Sequence, residues 1–304
     1  MTILSTSAFY ERASQDLSAL RKRAELLQGQ VSSGQRINQS SDDPVAASRL
    51  RELARADDLA AVNTANADRA LADLTLADSA IQEMADNLIR AQELSTQAAT
   101  GTLNDAQRQA IGEQLANISS NLVALANSKD GSGHSLFGGE VNGTAYQYDA
   151  TGNPVYVGTV TSGELPLGDG QTVTRGVTGP EFLNFSHGGV PTDLFAVISG
   201  LAQAMSGGSP DPAAAARDAL DAMSTGLEKI TTTQTIIGGR MNWVDLNVAR
   251  HVRQGEMRAD EQAVAGSIDV ATAITELQEI MTVLEASQAS FAKLASLSLF
   301  DVIR

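Results

Sequence analysis

The sequence predicts a mainly α fold with an inserted β-domain: a long antiparallel helical rod built from the N- and C-terminal segments, with a small antiparallel β-domain at its centre. Three observations predict it. Tyr10, Ala13, Leu17, Leu20, Ala24, Leu27 and Val31 recur at alternating spacings of three and four. Val270, Ala273, Leu277, Ile280, Leu284, Ser287, Phe291, Leu294 and Ser298 do the same near the other end. Such a stripe runs along one face of a helix and asks for a second helix to cover it, so the two ends are expected to pair. The third observation is punctuation. Every proline is either Pro44 or lies between Pro154 and Pro212, no glycine occurs between Gly34 and Gly101, and 17 of the 26 glycines fall in 131–208. Helix therefore occupies the ends and turns occupy the centre.

Taken in order, the first helix is expected to stop near Gly34, and the Ser-, Asn- and Asp-rich segment 32–44 to be a loop. Asp43 followed by Pro44 marks a restart, because a carboxylate caps the first free amides and proline suits the first helical position. Capping and turn chemistry also accounts for Asp42 beside Asp43 without a metal, since no third carboxylate follows at calcium-loop spacing. A very long helix should then run to about Thr100, its later seam formed by Leu74, Ala77, Ile81, Met84, Leu88, Ala91 and Ser95. Gly101 ends it. Asn104 with Gln107 reads as a capping box for an antiparallel partner carrying Ile111, Leu115, Ile118, Leu122 and Leu125.

From Lys129 the helical pattern breaks. Segments 144–149, 154–160 and 171–177 are short, rich in Val, Thr and Tyr, and separated by turn-forming ATGN and LGDG, which is the grammar of hairpins. Residues 137–190 are expected to form a small antiparallel domain with Tyr146, Tyr148, Tyr156, Phe182 and Phe185 as its core, dispensable if its ends lie close together. Helix returns at Asp193, and again at Asp211–Pro212 with a seam from Leu220 through Met223, Ile230, Ile237 and Val244 to His251. Gly255 and Gly266 are expected to loosen the chain before the last helix. The division that results is 1–42 with 266–304, 43–136 with 191–265, and 137–190.

Composition excludes several functions. Lys+Arg 21 against Asp+Glu 36 leaves a net charge of −15, the wrong sign for nucleic acid or an anionic membrane surface. No apolar run is long enough to span a bilayer, and the opening MTILSTSAFY has neither the basic nor the apolar region of a secretory signal. With no cysteine there are no disulfides, thiol nucleophiles or cysteine metal sites. His134, His187 and His251 fall in three separate segments, and neither a zinc-helix motif, a serine elbow nor a phosphate loop occurs. No catalytic, cofactor or metal residue is assigned, and the chain is not expected to be an enzyme.

Several runs resemble the flagellin superfamily. LQGQVSSGQRINQSSDDPVAASRL (27–50) is similar to its N-terminal signature, with Arg36, Asn38, Asp42, Asp43 and Pro44 on the signature loop, and LEASQASFAKLASLSLFDVIR (284–304) is similar to its terminal helix. DDPVAA (42–47), HSLFGG (134–139), 143–170 and the ending LSLFD (297–301) look like the hook–filament junction members, whereas filament flagellins usually carry D-D-A-A-G at the first of these positions. The resemblance implies an extracellular subunit of the bacterial flagellum, exported without a cleaved signal peptide through the flagellar type III pathway. It implies self-assembly into a ring that adapts the hook-side junction protein (hook-associated protein 1) to flagellin, and an export chaperone on the C-terminal helix. Leu17, Leu20, Leu27, Val31, Leu277, Ile280, Leu284, Phe291 and Leu294 would then form the assembly interface. Two other readings stay open: a filament flagellin, or a flagellin-like surface protein whose β-domain binds a ligand or glycan.

Overall fold

The computed structural model describes residues 2–302, with side chains described for residue 8 and for 10–293. Four long helices dominate: α1 (Thr2–Ser33), α2 (Pro44–Ala99), α6 (Pro212–Gly266) and α7 (Val270–Val302). Between α2 and α6 lie α3 (Asp105–Ala126), the short strands β1 (Tyr146–Tyr148), β2 (Pro154–Tyr156), β3 (Glu164–Gly168) and β4 (Gln171–Thr174), then α4 (Gly179–Leu183), β5 (Asn184–His187), β6 (Val190–Asp193) and α5 (Leu194–Gln203). This is the mainly α arrangement with an inserted antiparallel β region that the periodicities call for.

The helix boundaries follow local chemistry. Gly34 and Gly101, at φ +69° and +70°, take the left-handed conformation just past α1 and α2, where only glycine turns the chain without a Cβ penalty. Asp43 Oδ1 accepts the Ala46 N–H at 3.0 Å to open α2. At α3 the capping box is complete, Asn104 Oδ1 taking the Gln107 N–H at 2.9 Å and Gln107 Oε1 the Asn104 N–H at 3.0 Å. Asp193, Asp211 and Asp269 cap α5, α6 and α7 more simply, accepting the N–H groups of Ala196, Ala214 and Thr272 in turn. Gly255 does not loosen the chain as expected: α6 is helical through it and stops only at Gly266.

The chain packs into two compact units, residues 1–58 with 253–304 and residues 59–252. In the first, α1 and α7 pair, and Leu27, Ala273, Ile280 and Leu284 form a buried strip flanked by Leu17, Leu20, Ala24, Val31, Ile268 and Leu277. In the second, the α2 seam from Leu74 to Leu94 is buried against α3, α5 and α6. The close approach of α5's end to α3 has a steric cause: a Cβ on Gly112 would lie 2.7 Å from Ser206 Oγ and 2.9 Å from the Ala202 carbonyl.

The β region consists of three separate antiparallel hairpins, β1–β2, β3–β4 and β5–β6. Asp149 Oδ1 closes the first turn by accepting the N–H groups of Thr151 at 2.8 Å and Asn153 at 2.9 Å. Gly168, Asp169 and Gly170, all at positive φ, close the second. The third, turning at Gly188–Gly189, was not expected from the sequence. The hairpin aromatics do not own a core. Phe137, Tyr146, Phe182 and Phe185 join a single cluster with helix side chains, and the Tyr146 ring meets Phe195 of α5 edge-on at 5.1 Å. Tyr148 is corrected from core to surface, being 59% exposed.

Candidate assembly interface

The residues singled out in the sequence meet in the first unit. Leu27 of α1 and Ile280 and Leu284 of α7 are buried in the seam, while Leu17, Leu20, Val31 and Leu277 line it half-buried. Further along, Tyr10 and Phe291 close the pair edge-to-face, with ring centroids 5.3 Å apart. The Leu294 side chain and the 297–301 motif side chains lie outside the described residues. A polar contact fixes the register: Arg23 donates to Glu276 Oε1 through Nε at 3.1 Å and Nη2 at 2.8 Å.

α7 carries more apolar surface than α1 covers. Val270, Ile274 and Met281 fall within a narrow arc beside the buried seam, because spacings of four and seven residues return nearly to the same helix face. All three are exposed, as is Val283 on the far side.

The signature loop is a latch rather than a slack connection. The Arg36 N–H donates to the Gly266 carbonyl at 2.7 Å, and the neighbouring Ile268 N–H to Gly34 at 3.3 Å. The Arg36 guanidinium reaches the Ala265 carbonyl at 2.9 Å with one arm and Asp43 Oδ2 at 3.1 Å with the other. A cation placed on the last carbonyls of α6 also suits the negative end of its dipole. Asp42 Oδ2 gathers the N–H groups of Asn38 at 3.1 Å and Gln39 at 2.9 Å, and Asn38 Oδ1 accepts the Ser33 hydroxyl at 3.2 Å. Pro44 opens α2. The Ala46 N–H and the Arg36 guanidinium together hold the Asp43 carboxyl below its ordinary range.

Other contributors were not visible in the sequence. Gln30, almost fully buried, donates its amide to the Arg36 carbonyl and so braces the latch from α1. Arg49 with Glu261, and Arg258 with Asp57, join α2 to α6. None of these pairs has a local signature, since each links positions about two hundred residues apart.

The histidines serve structure. His251 is buried on the α6 seam with Nε2 on the Leu167 carbonyl, His187 Nε2 meets Asp218 at 3.0 Å, and His134 sits by Asp130. Among the described residues no three His, Cys, Asp or Glu side chains converge as metal ligands, and no helix is long and apolar enough to cross a membrane.

Long helices from both ends of the chain, joined by a latch and interrupted by small hairpins, give a flagellin-like arrangement. Residues 4–142 match the bacterial flagellin N-terminal helical region. The particular likenesses are to flagellar hook-associated proteins. The chain is 27% identical over 291 residues to flagellar hook-associated protein 3 of Escherichia coli K12, covering 90% of each. It is 26% identical over 325 residues to that of Salmonella typhimurium LT2, covering 99% of each. A solved flagellar hook-associated protein from Vibrio parahaemolyticus has the same fold, with a TM-score of 0.68 at 23% identity over 74% of this chain and 99% of that one. Flagellins match more narrowly: Flagellin B of Vibrio anguillarum is 29% identical over 40% of this chain and 32% of its own length.

Proposed function

We propose that the protein is a structural subunit of the bacterial flagellum, placed at the hook–filament junction as the adaptor on which the filament grows. The observation that carries this reading is the extent of the likeness. It runs essentially end to end with hook-associated protein 3, whereas the flagellins share only about two fifths of the chain. Its relatives are structural proteins, and no catalytic constellation among the described residues suggests an added chemistry.

The finer assignments rest on chemistry. Leu17, Leu20, Leu27, Val31, Leu277, Ile280, Leu284, Phe291 and Leu294 set the spacing of the terminal helices for assembly, and the exposed Val270, Ile274 and Met281 supply apolar surface for a neighbour. Burying side chains of that size contributes about 1.5–3 kcal/mol each. Segments 1–42 and 266–304 would form the tube-lining part, 43–136 and 191–265 the supporting helices, and 137–190 the surface. Copies would close into a ring between hook-associated protein 1 and flagellin, after export through the flagellar type III route with a chaperone on the last helix.

The test is complementation of a motile bacterium lacking its own hook-associated protein 3. Restored filaments, with the protein found at the filament base in short assemblies, support the reading. Long filaments grown from the purified chain alone would make it a flagellin instead. Restored filaments that depend on a glycan or other ligand bound by 137–190 would point to the surface-binding alternative.

A further inference from the structure

The loop leaving α3 folds back over α2 through a partly buried run of charges. Asp130 Oδ1 accepts the N–H groups of Ser132 and His134, both at 2.8 Å. Its Oδ2 receives Arg175 Nη2 at 3.2 Å, and Arg175 Nε reaches Asp73 Oδ2 on α2 at 3.1 Å. The Asp130 side chain is only 6% exposed. Beside this network lies a cavity of about 30 Å³ whose wall includes Asp73, Asp130, His134, Ser135, Ser162 and Arg175. Three atoms in this group, His134 Nδ1, Ser135 Oγ and Ser162 Oγ, are buried without a hydrogen-bond partner. Ser135 as a whole is 93% buried, its exposure being 7%. His134 Nδ1 does approach Asp130 Oδ2, but at 3.4 Å, which is beyond ordinary hydrogen-bond length.

We propose that this cavity is a binding site for one water molecule, held by Ser135 Oγ, Ser162 Oγ and His134 Nδ1, which completes the polar link between the 129–136 loop and the segment leading into β3. Size decides first. A water needs roughly 10–15 Å³ and two to four polar partners; the site, at about 30 Å³, has room for no more than about two waters and no larger ligand, and its three unpartnered atoms suffice to hold one. Charge decides next. A hard cation asks for six or more oxygens, yet the carboxylates here are already engaged by Arg175 and by backbone amides, and the guanidinium repels a second positive charge. An anion would face Asp73 and Asp130. Hydroxyls can donate or accept, so two serines and an imidazole suit a neutral ligand that does both. The bound water makes the His-Ser pair of the HSLFGG segment part of the docking of this loop, not only its continuation into the buried Phe137.

The test uses the full chain. Crystals soaked in rubidium bromide should show in this cavity a single solvent peak within hydrogen-bond reach of the three atoms and no anomalous signal. A rubidium or bromide peak there, or a cavity without density, overturns the assignment. In solution, oxygen-17 relaxation dispersion should count one fewer long-lived internal water in Ser135→Ala/Ser162→Ala than in the parent. An unchanged count in a variant with parental circular dichroism overturns it. If the double variant does not fold, Ser162→Ala alone gives the same reading: a shortened residence time supports the site, and an unchanged one overturns it.

Discussion

Arg49 and Glu261 meet as a fork on a fork: the guanidinium Nε lies 2.7 Å from Oε1 and Nη2 lies 3.0 Å from Oε2. A few turns along, Asp57 accepts Arg258 Nε at 2.7 Å and the Gln262 amide at 2.6 Å. In the first unit, α2 and α6 are therefore linked by two charged pairs, with Leu50 of α2 lying beside Gly266 at the end of α6. This differs from α1 with α7, where the seam is aliphatic.

Acid should loosen the charged join. Hydrogen bonds from Arg49 hold Glu261 below its ordinary 4.5, and those from Arg258 and then Gln262 hold Asp57 below 3.8. A carboxylate depressed in the folded state stabilises it fully above the ordinary value, and that contribution disappears as pH falls through the folded value. The thermal transition of the first unit should thus be level from about pH 7 to about 5 and move down steadily below about 4.5. Arg49→Lys, which replaces the fork by a point charge, should flatten that acid limb. A parent protein whose transition does not move down to about pH 3 would rule out a role for these pairs.

Much of the fold could be read in advance where a signal is local. The seam Leu74, Ala77, Ile81, Met84, Leu88, Ala91 and Ser95 is buried throughout, because a period near 3.6 fixes which face turns inward. Asn104 with Gln107 and Asp43 with Pro44 act as caps because capping joins residues only a few positions apart. Contacts across the chain left no such trace. Nothing near Arg49 announces Glu261, and Gln30 looks like surface until the loop folds over it. Tyr146 and Tyr148 alternate as one face of a strand should, yet only Tyr146 is covered, since β1 ends at the Asp149 turn and nothing packs above its last residue. The β5–β6 hairpin was hidden by its polar strands, although His-Gly-Gly-Val was a usable turn signal. For the assembly residues, the stripes at the two ends call for each other, and α1 of the same chain does cover Leu284.

Because it does, Leu284→Ala should act within the chain before any assembly forms. Removing a buried leucine side chain costs about 2–5 kcal/mol, and Leu284 sits in the aliphatic strip with Leu27 and Ile280. Amide exchange in α1 and α7 should accelerate, while the amides of Leu74–Leu94 in α2 keep their protection. Acceleration spread evenly over both regions would mean that the two units do not open separately.

The glycines of α6 should respond in opposite directions. A Cβ at Gly238 or Gly239 would meet nothing within 4 Å, whereas one at Gly226 would collide with Leu194 and crowd Phe185. Gly238→Ala and Gly239→Ala should each stabilise by about 0.5–1 kcal/mol, since alanine gives up less backbone freedom in a helix. Gly226→Ala should destabilise by about 1–3 kcal/mol through overpacking. Urea titrations of the three variants give the comparison directly. If Gly238→Ala and Gly239→Ala lower the midpoint, these positions carry a requirement for glycine that the packing does not reveal.

Phe182 and Tyr148 separate the two ways of seeing the hairpin region. Phe182 has no exposed surface and stacks edge-on against Phe137 at 5.2 Å, in the cluster that also holds Phe195, Ile198 and Met223 of α5 and α6. Tyr148 points away from that cluster. If 137–190 carried its own core, either truncation would melt the hairpins and leave the helices intact. With a shared core, Phe182→Ala should cost about 3–5 kcal/mol and lower the transition of helices and hairpins together, while Tyr148→Ala should stay within about 0.5 kcal/mol of the parent. The single tryptophan reports on this conveniently, because Trp243 lies on α6 and donates its Nε1–H to the Thr172 carbonyl of β4 at 3.3 Å. Its fluorescence and the far-ultraviolet helix signal should therefore shift by the same amount in urea for Phe182→Ala. Two separated transitions, with the tryptophan signal moving and the helix signal holding, would give the hairpins an independence that their packing against α2 and α6 argues against.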